Sequence, residues 1–139
     1  MEWHHDGYSI SDNPHNLQTN IIHKYLKDAY WSVGISMETV QRAIKHSLCF
    51  GVYHGTEQIG FARVVSDMTK FAYLADVFIL PAHQKQGLGK WLIGRILEHP
   101  KLKTVNRFLL ATADAHGLYR HFGFDALREP QKMMELRRA

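Results

Sequence analysis

Asp76-Val77-Phe78-Ile79-Leu80-Pro81-Ala82-His83-Gln84-Lys85-Gln86-Gly87-Leu88-Gly89-Lys90-Trp91-Leu92 is the stretch on which the reading of this chain turns. From Tyr73 to Leu80 the residues are apolar or aromatic with a single charge, the pattern of a buried strand. Pro81 cannot donate a ladder hydrogen bond and closes that strand. Beyond Gly87 and Gly89, the residues Leu88, Trp91, Leu92 and Ile96 recur at helical spacing. A strand that enters a helix through such a loop leaves backbone N–H groups pointing outward at the positive end of the helix dipole. That is an anion site suited to phosphate oxygens. A Walker loop requires Gly-x-x-x-x-Gly-Lys-Ser/Thr, whereas Lys90 has the wrong glycine spacing before it and Trp91 after it. A dinucleotide fingerprint requires a third glycine where Leu92 stands. A glycine pair between strand and helix also serves as a plain tight turn, so the loop alone leaves two readings open.

The rest of the chain sets the frame. Its 139 residues suit one domain, 1–139, with room for a real core. An apolar fraction of 45% and a charged fraction of 22% are those of a soluble globular protein. No apolar run reaches the ~18 residues of a membrane span, and Met1 to Asp6 lacks the pattern of a secretion signal. Cys49 is the only cysteine, which excludes an internal disulfide and fits a reducing, cytoplasmic setting. Its neighbours Leu48, Phe50 and Val52 make it a core residue rather than a nucleophile. The net charge of +4 is compatible with nucleic acid, but Lys and Arg are scattered, and a polyanionic small molecule explains the excess equally well. The ten histidines are dispersed rather than set in close pairs, so no metal site is expected.

In chain order, residues 3–10 supply one weak strand. Leu17, Ile21, Ile22, Tyr25, Leu26 and Ala29 form an amphipathic stripe predicting a helix to about Tyr30. Ser36 is a plausible N-cap for a second helix, with Glu38 in its first turn. The period then changes to strand over 48–54, 58–66 and 71–80, a meander joined by short turns. The helix after the glycines runs to His99 and stops at Pro100. Val105 to Thr112 is a further strand of undetermined direction. Asp114 looks like the N-cap of a short helix that Gly123 ends, and 124–127 and 132–136 read as two short final strands. The fold class is α+β with a mostly antiparallel sheet flanked by helices.

Two motifs carry a resemblance. Gln84-x-x-Gly87-x-Gly89 resembles the acetyl-CoA pyrophosphate loop of the GNAT acyltransferases, Arg/Gln-x-x-Gly-x-Gly/Ala. Leu118-Tyr119-Arg120-His121-Phe122-Gly123-Phe124 resembles that family's Leu-Tyr-x-x-x-Gly-Phe segment, in the right order and at the right distance. Two helices before a β meander agree with it. The resemblance implies a GNAT-like fold with a mixed sheet, and acetyl transfer from acetyl-CoA to a primary amine of a small molecule, amino acid or peptide by direct attack. It implies a pyrophosphate held at Gln84, Lys85, Gln86, Gly87, Leu88, Gly89 and Lys90, and a thioester lying along Val77, Phe78 and Ile79. Where the family commonly has an Asn on the pantetheine arm this chain has Thr112, so that contact falls to Thr112 or His116 or is weaker.

The chemistry needs a proton acceptor, an oxyanion donor and a thiolate partner. Tyr119 either packs as tyrosines on short amphipathic helices do, or is the thiolate partner, for which its phenol with a reference pKa near ~10 is suited. Strand alternation puts Arg63 on a face with Ile59, Phe61 and Val65, and Asp76 on a face with Leu74, Phe78 and Leu80. Such charges either pair with each other, or serve the acceptor: Asp76 as base, Arg63 for a substrate carboxylate. His116 is a second candidate base. Tyr30 and Trp31 either stack on a cationic substrate or cap the core. The alternatives to this enzyme are a non-catalytic acyl-CoA-sensing or RNA-associated module, or an enzyme using another acyl-CoA. Members of the family this chain resembles often dimerise, sometimes by exchanging or pairing C-terminal strands, and a homodimer through 132–138 is compatible with the residues without being demanded by them.

Overall fold

The computed structural model describes residues 1–138. Six strands form one sheet in sequence order: β1 (Glu2–His5), β2 (Tyr8–Ser11), β3 (Leu48–His54), β4 (Glu57–Ser66), β5 (Phe71–Ile79) and β6 (Arg107–Leu109). Neighbours are antiparallel except β5 and β6, which run parallel. Helix α3 (Leu88–Leu97) buries Leu92, Ile93 and Ile96 in a core with Ile10, Phe50, Val52 and Val64. Helices α1 (Thr19–Leu26) and α2 (Met37–Lys45) enclose a second core, with Ile22, Leu26, Val40, Phe61 and Phe78. The fold is α+β, and no helix among the described residues is long and apolar enough to cross a membrane.

Several expectations change at the boundaries. The single weak strand over 3–10 is a hairpin, because Asp6 and Gly7 both take positive φ, 50° and 80°, as a two-residue turn requires. Helix α1 stops at Leu26 rather than near Tyr30: the Ser32 hydroxyl donates to the Leu26 carbonyl at 2.6 Å, and Gly34 N–H donates to Lys27 O at 2.9 Å. These bonds turn the chain back towards the sheet. Ser36 caps α2 as expected, its hydroxyl accepting from Thr39 N–H at 3.1 Å. Helix α3 ends at Leu97, and His99 instead caps the turn that Pro100 begins, accepting from Lys101 N–H.

The short helix α4 (His116–Arg120) does not use Asp114 as its cap. Its capping position is Ala115, whose N–H donates to Thr112 Oγ1 at 3.0 Å. Gly123 does end the segment at φ +96°, donating to Arg120 O. The two C-terminal strands do not form. Residues 130–132 make one 3-10 turn, and Met134 and Leu136 are 98% and 81% exposed, so no apolar burial supports a strand there.

Two bulges overturn the simple alternation of the meander. Val52 pairs with Gly60 and Tyr53 with Gln58, which leaves Ile59 as an extra residue and sends it to the α3 core while Phe61 faces α1 and α2. Arg63 pairs with Ala75 and Phe61 with Phe78, so β5 holds one residue more than β4 at Asp76, whose φ is +55°. Leu74 and Phe78 therefore face opposite cores instead of sharing a face. The bulge bends β5, and β6 follows it only from Phe71 to Tyr73. The strand expected over 105–112 is thus only three residues long, and beyond Tyr73 the sheet opens.

Candidate active site

The opening between β5 and the segment after β6 is the first element of the site. From Leu74 onward β5 has no strand partner on that edge, so backbone groups there face a gap rather than a ladder. The loop after β5 is the second element. Pro81–His83 makes one 3-10 turn, and the Gln84 side chain reaches back to donate to Ile79 O at 2.8 Å, tying the loop to the strand end. Lys85 and Gly87 then take positive φ, 65° and 81°. This turns the N–H groups of Gln86, Gly87, Leu88, Gly89 and Lys90 away from any acceptor among the described residues. Trp91 N–H, bonded to Gly87 O, is where α3 closes on itself. Five free donors at a helix start form an anion cradle.

Gln86 Nε2 donates to Tyr8 Oη and to His83 O, both at 3.1 Å, and the same hydroxyl lies 2.8 Å from His83 Nδ1. The cradle is therefore braced by β2, a support that no local pattern around residue 8 announces.

Two cavities meet in the opening. One of about 590 Å³ runs from the loop (Lys85, Gly87, Gly89) along Val77, Phe78 and Ile79 to Leu118. Gln86 and Lys90 do not border it. The other, of about 450 Å³, lies between α1, α2 and the meander, walled by Leu26, Ile35, Val40, Ile44 and Phe61. Their common boundary is Tyr30, Trp31, Val77, Asp114, Ala115 and Tyr119.

Tyr119 is 8% exposed, packs edge-on against Phe124, and its hydroxyl has no hydrogen-bond partner among the described residues. Burial, with smaller contributions from Tyr30 and Asp114, pushes its phenol up to about 12, so it stays protonated at neutral pH. The two charges singled out in the meander find each other: Arg63 Nε donates to Asp76 Oδ2 at 2.8 Å and Arg63 Nη1 to Ser47 Oγ at 3.1 Å. The remaining Asp76 oxygen, Oδ1, accepts from Trp31 Nε1 at 2.8 Å. Both carboxylate oxygens are engaged, and the bulge at Asp76 is what brings them to these partners.

Tyr30 and Trp31 sit at the mouth, not over the core, half-exposed and edge-to-face at 5.1 Å. The Tyr30 hydroxyl accepts from Ala113 N–H at 3.0 Å. Thr112 borders the 450 Å³ cavity with its hydroxyl committed to Ala115. His116 borders neither of these two cavities; it lines a third pocket, which Thr112 and Tyr119 also line. Cys49 is buried against the second core, and burial lifts its thiol to about 12. No group of three His, Cys, Asp or Glu side chains is placed to hold a metal among the described residues. Sequence reasoning missed Asp114, whose apparent helix-cap role hid its place on the boundary, and Tyr25, which stacks on Phe78 at 4.0 Å.

Residues 19–124 match the Acetyltransferase (GNAT) family. The chain is 30% identical to the Gibberella zeae protein named "Putative acetyltransferase FG08082", over 93% of this chain and 85% of that one. A GNAT-family protein of Xanthomonas campestris pv. campestris has a crystal structure that superposes with a TM-score of 0.91. It is 45% identical, over 94% of this chain and 92% of that one. A Clostridium acetobutylicum chain, solved with acetyl-CoA, superposes with a TM-score of 0.68 over 99% of this chain and 96% of that one. At 13% identity it speaks to the fold alone.

Proposed function

The chain belongs to the GNAT family of acetyltransferases, and from that membership we propose that it transfers the acetyl group of acetyl-CoA to a primary amine by direct attack. The observation that carries this reading is the common boundary of the two cavities, with Tyr119 on it. Acetyl-CoA enters from the loop side. Its pyrophosphate takes the free N–H groups of 86–90, with Lys85 adding charge, and its thioester lies along Val77, Phe78 and Ile79. The amine enters from the side of α1 and α2. The two reactants meet where only six residues line both spaces, which supplies the proximity that an intermolecular transfer needs.

Backbone N–H groups on the unpaired edge of β5 are the donors for the tetrahedral oxyanion. Tyr119 is the hydrogen-bond donor and proton source for the departing thiolate, because its hydroxyl is otherwise unpartnered and it borders both cavities. Asp76 is assigned a positioning role, because its two oxygens hold Trp31 and Arg63. Arg63 shares that role, and its place on the wall of the 450 Å³ cavity supports contact with the acceptor. His116 lines neither of the two cavities assigned to the reactants, so it is given no role as base in this reading. The proton of the amine then leaves to water.

Incubating the protein with acetyl-CoA and a panel of amines, and following release of free thiol, tests the reading. Thiol release that depends on one class of amine is expected. Tight CoA binding without thiol release over a broad panel would replace it with an acyl-CoA-sensing role. Comparing thermal shifts with CoA, acetyl-CoA and longer acyl-CoAs tests the donor, since the preferred one stabilises the fold most.

A further inference from the structure

An acceptor must bring its nitrogen to the common boundary of the two cavities, because the thioester and Tyr119 are reached together only there. The side chains of that boundary therefore select the head of the acceptor, and the walls of the 450 Å³ cavity select its body. Of the six boundary residues, one carries a charge, Asp114, and three offer aromatic rings: Tyr119, which is buried, and Tyr30 and Trp31, which are exposed at the mouth. The Asp114 carboxylate makes no hydrogen bond or ion pair among the described residues, in contrast to Asp76, which is held twice. Its backbone is nevertheless fixed from both sides. Ala113 N–H donates to the Tyr30 hydroxyl and Ala115 N–H to Thr112 Oγ1, each at 3.0 Å. The charge of Asp114 is felt across the boundary, where it adds to burial in raising the phenols of Tyr119 and Tyr25. The deeper walls are apolar: Leu26, Ile35, Val40, Ile44 and Phe61. The charged pair on those walls, Arg63 and Asp76, is mutually neutralised.

We propose that the acceptor is a cationic primary amine on an apolar body, its ammonium held by Asp114 beside the rings of Tyr30 and Trp31. The inference rests on the acetyl-transfer reading above. A carboxylate and aromatic faces attract an ammonium group, and an apolar chain gains from leaving water against the α1–α2 wall. Binding is in the protonated form. One proton then passes from the ammonium to water, and the freed lone pair forms the C–N bond as the C–S bond breaks. The nitrogen loses a second proton to water, while the thiolate takes the Tyr119 proton, which water restores. The balance is ammonium plus acetyl-CoA giving acetamide, free CoA thiol and one proton.

The test uses an n-alkylamine series, ethylamine, butylamine and hexylamine, with ethanolamine as a polar control. Burial of the chain predicts kcat/KM rising by roughly fourfold for each added methylene until the cavity is filled. Asp114→Asn is expected to raise KM for hexylamine about tenfold, a typical loss for one ionic contact, while leaving CoA affinity unchanged. Asp114→Glu should recover part of that loss. Equal kcat/KM across the series, or an unchanged KM in Asp114→Asn, overturns the proposal. Titrating hexylamine into CoA-saturated protein by calorimetry separates the two readings. Binding that weakens in Asp114→Asn without any thiol release supports the cationic site and removes the transfer reading. Transfer to ethanolamine that exceeds transfer to hexylamine retains the enzyme and removes the proposal.

Discussion

Trp31 Nε1 donates to Asp76 Oδ1 at 2.8 Å across 45 residues of chain, and this bond joins the α1–α2 connection to the bulge of β5. The other oxygen of the same carboxylate is held by Arg63 on β4. One side chain thus fixes three elements around the mouth of the 450 Å³ cavity. The bulge that turns Asp76 towards these partners is also the bend beyond which β6 no longer follows β5. The opening beside β5 and the placement of Trp31 are consequences of a single irregularity.

Asp76→Asn tests the positioning role. The amide retains an oxygen for Trp31 but loses the charge that balances half-buried Arg63, at a cost on the order of 1–3 kcal/mol. Urea unfolding should show a lower midpoint with an unchanged slope. The turnover rate should fall at every pH with the shape of its pH profile preserved. A profile that loses a limb in this variant would make Asp76 a proton acceptor instead.

Tyr119→Phe removes the hydroxyl from the common boundary and keeps the ring against Phe124. The turnover rate should fall by ~10²-fold, in the range for loss of a general acid, with CoA affinity and thermal stability nearly retained. Because the phenol of the folded protein is pushed up to about 12, its ionisation should produce no alkaline loss of activity below about pH 10. An unchanged rate at saturating amine would remove Tyr119 from the mechanism.

The parts of this protein legible in the sequence are those where a local pattern and its tertiary setting agree. The glycines at 87 and 89, the apolar period of α3 and the Ser36 cap each specify their own geometry. Asp6-Gly7 was as legible as these, a turn pair splitting what was read as one weak strand. The bulges were not. Asp76 holds a positive φ without being a glycine, and an extra residue in one strand exists only relative to its partner. Alternation therefore assigned Leu74 and Phe78 to one face when they lie on two. At Asp114 the local cap signal lost to Thr112, which satisfies the helix start instead and leaves the carboxylate at the cavities. The C-terminal segments carry strand-like residues, but no partner strand pairs with them among the described residues.

Alkaline stability follows from three buried acids. Burial lifts Cys49, Tyr53 and Tyr119 each to about 12, from ordinary values of 9.0, 10.0 and 10.0. In the unfolded chain these groups lose their protons first, so between about pH 9 and 12 the folded state binds more protons, and stability falls as pH rises. The stabilisation is complete below the unfolded values and lost as pH climbs towards 12. Each group adds a slope approaching ~1.4 kcal/mol per pH unit within its window. Urea midpoints measured from pH 8 to 11 should decline with increasing steepness above pH 10. Cys49→Ala should flatten the first part of the decline.

Gly87 and Gly89 separate backbone strain from space. Gly87 has φ +81°, where any side chain is strained, although a Cβ there would meet no atom within 4 Å. Gly89 has ordinary helical geometry, and a Cβ would sit 3.7 Å from Leu118 Cδ2, a normal contact. Gly87→Ala should therefore cost ~1 kcal/mol and weaken CoA binding by tenfold or more, since relaxing the loop turns the N–H groups of 86–90 off their common target. Gly89→Ala should leave stability and CoA affinity within about threefold of the parent. Equal losses in the two variants would mean that side-chain bulk at the loop, not its left-handed turn, governs binding.

Tyr8→Phe probes the brace behind the cradle. The Tyr8 hydroxyl lies 2.8 Å from His83 Nδ1 and accepts from Gln86 Nε2 at 3.1 Å, so it joins β2 to both ends of the loop that must hold the pyrophosphate. The ring itself packs against His54 at 4.8 Å and His83 at 5.6 Å, and phenylalanine preserves those contacts. Removing the hydroxyl deletes two partly exposed hydrogen bonds, together worth ~1–2 kcal/mol. Part of that loss should appear in global stability and part as freedom of the loop. CoA affinity should fall severalfold by calorimetry, while the turnover rate at saturating acetyl-CoA and amine stays within about twofold, because Tyr8 lines neither of the two cavities. A lowered turnover rate with unchanged CoA affinity would show that the hydroxyl acts on the chemical step rather than on the cradle.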